Sequence, residues 1–156
     1  MRPNLQRLEE TPIPVRIKLA ALWASVMFCY IYGDYFWLYH PGKLQSMLAG
    51  RIIPFGAVTQ ANLLGTTISM AIPSTMIFFS LVLRPALNRW VNIVLGVLYT
   101  VFVLVTMRGA WAFYLFLGTV DMLLTVAIVW YAWTWPRLTE RSAPAGDGGR
   151  AARTVY

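Results

Sequence analysis

The chain has 156 residues, is 58% hydrophobic and only 12% charged, and carries a net charge of +7. Globular soluble domains carry about 25% charged residues, so the composition excludes that class and points to a membrane protein. The basic residues fall between apolar runs rather than along one stripe, which argues against nucleic acid as a partner. The single cysteine, Cys29, excludes an internal disulfide, a CxxC redox pair and an all-thiolate metal site.

Residues 1–16 read as a cytoplasmic N-terminal tail. The first apolar run, 17–38, is longer than a signal-peptide core and is followed by no A-x-A-like site, so it is expected to persist as a span. Three more apolar runs follow at 61–83, 90–107 and 112–133. As helices, runs of this length rise about 27–35 Å, which matches a hydrocarbon core of about 30 Å. Helix is the required conformation, since an open strand would leave backbone groups unpaired in lipid. The 17–136 segment is therefore predicted to be an all-α membrane domain, a four-transmembrane-helix antiparallel bundle with membrane lipids as its surroundings. Its external link, 39–60, contains "PGKLQSMLAG", predicted as a short interfacial helix with Pro41 in its first turn and Gly50 as its stop. The cytoplasmic link after the second span is read as a tight turn built on Pro85. Residues 137–156 are Gly/Ala/Pro/Arg-rich and are predicted to be a disordered cytoplasmic tail.

Lys and Arg give the orientation. Arg2, Arg7, Arg16, Lys18, Arg84, Arg89, Arg137, Arg141, Arg150 and Arg153 fall on one side, and Lys43, Arg51 and Arg108 on the other. The positive-inside rule then puts both termini in the cytoplasm. Trp90, Trp111, Trp133 and Trp135 lie near span ends, as interfacial belts do.

Helices associate in lipid through small and hydrogen-bonding residues, and each span has such a stripe at helical spacing. The stripes are Trp23, Met27, Tyr30 and Asp34; Asn62, Thr66, Ser69 and Pro73; Asn92, Gly96, Tyr99 and Thr106; and Tyr114, Gly118, Asp121 and Thr125. Pro73, in mid-span, is expected to kink its helix and displace the carbonyl of Ser69, with Ser69 or Ser74 occupying the freed backbone groups.

Two acids lie inside the spans, Asp34 within the aromatic run "CYIYGDYFWLYHPGK" and Asp121 in the fourth span. Both fall in the outer half. Together with Tyr30, Asn62, Thr66, Tyr99, Arg108 and Tyr114 they form a candidate outward-facing polar pocket. An ionisable group in a span costs about 2.5–3.5 kcal/mol or more, so Asp121 is expected to face the bundle interior. Two readings of it stay open. It is either a hydrogen-bonded clip, with Asp34 paired to Arg108 or Lys43, or a carboxyl that binds a proton or cation during transport. The aromatic run is read as an interfacial belt, with a cage for a cationic or planar ligand as the alternative.

His40 is the only histidine, which excludes bis-histidine haem and histidine metal sites, and no Gly-rich phosphate loop is present. No cofactor, metal or catalytic residue is predicted. The functional expectation is a non-enzymatic membrane protein whose pocket takes a small ligand or a partner helix. The alternative is a small proton- or cation-coupled transporter acting as a homo-oligomer, and a membrane enzyme using Asp121 as acid or base is a third reading.

The blocks "KLAALWASVMFCYIYGDYFWLYHPGKL", "VTQANLLGTTISMAIPSTMIFFSL", "RWVNIVLGVLYT" and "VWYAWTWP" resemble a family of small four-span bacterial membrane proteins defined as a domain of unknown function. The resemblance covers Lys18 to about Pro136. It implies a bacterial cytoplasmic (inner) membrane location and carries no activity, cofactor or residue role.

Overall fold

The computed structural model describes residues 11–52 and 56–136. The N-terminal residues before these and the tail predicted to be disordered lie outside the described residues. Four helices are long and apolar enough to cross a membrane: α1 (Val15–Trp37), α3 (Gln60–Val82), α4 (Pro85–Thr106) and α5 (Ala112–Trp133). Between α1 and α3 lie the short helix α2 (Lys43–Leu48) and two two-residue strands, β1 (Arg51–Ile52) and β2 (Gly56–Ala57).

The helix boundaries follow local chemistry. Thr59 caps α3, its hydroxyl accepting from the Asn62 amide at 3.2 Å. Pro85 is the first residue of α4 rather than part of a turn, so the third span begins five residues earlier than its hydropathy predicts. Proline is suited to that position because its missing N–H would have no intrahelical partner there. The link between α3 and α4 thereby shrinks to Leu83 and Arg84. Helix α2 forms where predicted, but Pro41 lies outside it. Gly42, at φ 79°, precedes the helix and Gly50, at φ 69°, ends it, both in the left-handed region that favours glycine. The pairing of β1 with β2, antiparallel with Arg51 opposite Ala57, has no counterpart in the sequence reading. Strands this short leave no period-2 pattern to read.

Helix α1 packs against both α3 and α5, and α4 packs against α5, while α3 and α4 touch little despite their short link. The four spans thus enclose a core on three sides. At the end bearing the termini that core contains Leu19, Trp23, Val26, Met76, Ile128 and Ala132. Helices α4 and α5 meet closely at Gly96, where an added Cβ would lie 2.7 Å from Val129 Cγ2 and 3.4 Å from the Thr125 carbonyl. Thr100 and Thr125 hydroxyls join the same two helices at 2.9 Å.

Side chains bridge the weak α3–α4 side. Near the link, Asn92 Oδ1 accepts from Trp23 Nε1 at 2.7 Å and from Ser80 Oγ at 3.4 Å. Asn92 Nδ2 donates to the carbonyl and Oδ1 of Asn88 at 2.8 and 2.6 Å, and Asn88 Nδ2 donates to the Ser80 carbonyl at 2.6 Å. All four residues are fully buried. At mid-depth the second bridge is Tyr99, whose hydroxyl donates to the Ser69 carbonyl. That carbonyl is the one Pro73 deprives of its helical donor. Tyr99 therefore fills the role predicted for Ser69 or Ser74, and Ser69 Oγ bonds the Thr66 carbonyl instead at 2.7 Å.

The basic residues at the terminus end also close exposed helix ends. Arg16 Nη1 donates to the Leu81 carbonyl at 2.9 Å and Arg89 Nη2 to the Trp133 carbonyl at 3.2 Å. Both acceptors are last-turn carbonyls without an intrahelical partner. Lys18 Nζ lies 5.1 Å from the Tyr131 ring centroid.

Candidate functional site

Beyond Tyr99, toward the end of the bundle away from the termini, the space between α3 and α4 is a cavity of about 1150 Å³. All four spans line it. Helix α1 contributes Cys29, Tyr30, Gly33, Asp34 and Trp37, and α3 contributes Ala61 to Met70 on one face. Helix α4 contributes Phe102 to Thr106, with Arg108 just beyond it, and α5 contributes Tyr114, Leu117, Gly118 and Asp121. Lys43 closes the rim from α2. Small-molecule sites commonly measure about 300–1,000 Å³, so the space is ample for one ligand.

Of the eight residues assembled by sequence reasoning, Tyr30, Asp34, Asn62, Thr66, Arg108, Tyr114 and Asp121 line this cavity. Tyr99 does not. It is 5% exposed, its ring packs edge-on against Trp23 at 5.9 Å, and its hydroxyl is held by Ser69. The sequence reading did not assign Gly33, Gly65 and Cys29 to the cavity. Extending the α1 stripe by helical steps to Gly33 and Trp37 would have found the first of these.

Asp121 lies at the deep end and is 2% exposed. Neither of its carboxyl oxygens has a hydrogen-bond partner among the described residues, and the same holds for the Tyr30 hydroxyl. The Tyr30 hydroxyl and the Asp121 carboxyl approach closely enough for a hydrogen-bonding interaction, without closing a well-formed bond. Of the clip expected of Asp121, the structure shows this approach of Tyr30 and no closed hydrogen bond. Asp34 is exposed at the mouth and feels Lys43 through space. No ion pair joins Asp34 to Lys43 or Arg108, contrary to the expected pairing; Lys43 Nζ instead sits over the Trp37 ring at 5.9 Å.

The α3 wall offers acceptors. Thr66 Oγ1 donates to the carbonyls of Asn62 and Leu63 at 3.1 and 2.9 Å, and Thr67 Oγ1 donates to Leu63 at 2.8 Å. Their protons are committed to the helix, so the hydroxyl oxygens remain available only as acceptors. Asn62 Nδ2 donates to the Ala57 carbonyl at 3.0 Å.

Rings frame the mouth. Trp37 lies 5.5 Å from Tyr114 and 4.9 Å from His40, and His40 lies 4.6 Å from Trp111. A second hollow of about 300 Å³ beside them is lined by Phe36, Tyr39, His40, Trp111 and Phe113. The aromatic run thus has one side on the cavity, through Tyr30 and Trp37. Its other side is exposed, through Tyr32, Tyr35 and Phe36.

Fold and site together define a multi-pass membrane protein with a buried, unbonded carboxyl on a cavity between its helices. The chain belongs to the family of unknown function DUF6326, whose family model matches residues 14–142 and so takes in all four spans. No curated protein and no solved structure matches the chain.

Proposed function

We propose that the protein binds a small ligand in this cavity without transforming it, from the outer face of a bacterial inner membrane, with both termini in the cytoplasm. The observation that carries the reading is Asp121. A buried polar group without a partner costs free energy, and here that group lines an open space large enough to admit one. The lining offers no histidine to activate a hydroxyl or thiol, which favours binding over nucleophilic catalysis. The excess of Lys and Arg on the terminus side supports the orientation.

A second reading, proton- or cation-coupled transport by a homo-oligomer, draws on Pro73. The carbonyl it frees is held by a single side-chain bond from Tyr99, and a hydrophobic span carrying a mid-span proline is a pointer to transporter binding sites.

Cys29 provides the test, since it is the only cysteine in the chain and lines the cavity. A membrane-impermeant methanethiosulfonate added to intact cells is expected to modify it. Protection until the membrane is dissolved would overturn the open cavity. Modification only from the cytoplasmic side would reverse the orientation.

A further inference from the structure

We propose that the cavity is built for a zwitterion, with its cationic group inward against Asp121 and its anionic group at the rim against Arg108. This rests on the ligand-binding reading above and narrows it to a chemical class.

The lining holds four charged groups, and they are not equivalent. Asp34 and Lys43 act on each other at the mouth, and Lys43 is further occupied with the Trp37 ring. Among the described residues Arg108 is left without a hydrogen bond or ion pair from its side chain, and Asp121 has only the Tyr30 hydroxyl nearby, with no closed hydrogen bond. One is an acid at the floor and the other a base at the rim. A bare anion would be opposed by the floor, and a bare cation would have to pass Arg108 and Lys43. A molecule carrying both charges meets an opposite charge at each end.

The wall between them suits this orientation. Thr66 and Thr67 present acceptor oxygens to an entering ammonium. Tyr30, in the lining beside Asp121, adds an aromatic ring to the same wall.

The depth sets the length of the ligand. Asp121 is nine residues beyond Ala112, the first residue of α5, or about 13 Å along the axis. Even with Arg108 reaching inward, a spacer longer than the single carbon of an α-amino acid must separate the two charges. A soluble ω-amino acid and the phosphoethanolamine headgroup of a lipid share the required chemistry.

The test uses full-length protein in phosphatidylglycerol nanodiscs and follows modification of Cys29 by a neutral methanethiosulfonate. The added probes are 6-aminohexanoate, hexylamine, hexanoate and alanine. The expected result is that 6-aminohexanoate slows modification and each of the other three is at least about tenfold less effective, as loss of one charge-assisted contact predicts. Asp121→Asn should abolish this protection and Arg108→Gln should weaken it about tenfold. Discs containing phosphatidylethanolamine separate the sources. Protection there without added probe identifies the lipid headgroup, and protection only by 6-aminohexanoate identifies a soluble ligand. Equal protection by hexylamine, with Arg108→Gln silent, would overturn the zwitterion and leave ligand binding standing. So would a reactive Cys29 that none of the probes or lipids protects. A Cys29 unreactive in every disc would overturn both.

Discussion

Asn92→Leu is expected to lower the unfolding free energy in detergent by about 2–3 kcal/mol. Leucine keeps the branching of asparagine but is bulkier, so the loss comes from hydrogen bonds and crowding and not from a cavity. Asn92 joins α1, through Trp23, to α3, through Ser80, and to Asn88 on its own helix. Hydrogen bonds between membrane helices average about 0.6 kcal/mol each. Removing this set also strands the Trp23 N–H in a fully buried site, which adds a desolvation cost. Reversible unfolding in mixed micelles would measure the change. A variant as stable as the parent would show that the network is not what holds α3 and α4 together.

Asp121→Asn is expected to act with the opposite sign, leaving stability unchanged or raising it by about 1–3 kcal/mol. Both positions are buried and polar. At Asn92 every polar atom is bonded, whereas at Asp121 neither oxygen is. Replacing an unbonded carboxyl by an amide removes an ionisable group from a site that does not compensate it. The same micelle assay decides the matter. A loss of about 1 kcal/mol or more would make Asp121 a structural clip and remove the main support for a ligand site. The two variants together separate polar residues that hold the bundle from one that is held ready.

The helical stripes were legible because lipid leaves few alternatives. Small and polar residues repeating every three or four positions must face other helices. Trp23, Pro73, Asn92, Gly96, Gly118, Asp121 and Thr125 are indeed buried. What spacing cannot convey is which partner each side chain selects. Tyr99 shares a face with Asn92 and Gly96, yet it turns to the carbonyl that Pro73 exposes on another helix. Ser80 and Asn88 lie beyond the ends of those stripes, on either side of a link whose Pro85 suggests a turn in sequence but opens α4 in the structure. Asp34 and Arg108 have opposite charges at one end of the bundle, but the ring of Trp37 draws Lys43 and no ion pair closes across the mouth. These outcomes depend on three-dimensional competition among neighbours, which periodicity does not encode.

The central claim is that a carboxyl without a closed hydrogen bond sits at the floor of an open cavity. Asp121 acts through space on Cys29, so the thiol reports that charge. The direct measurement is the ratio of the rates at which cationic and anionic methanethiosulfonates modify Cys29, taken at one alkaline pH for both proteins. Rates are normalised to a free small thiol and compared between the parent and Asp121→Asn. The account predicts that the ratio falls about tenfold or more in the variant, because a negative charge that acts on the thiol has gone. An unchanged ratio, with Cys29 reactive in both proteins, would contradict it.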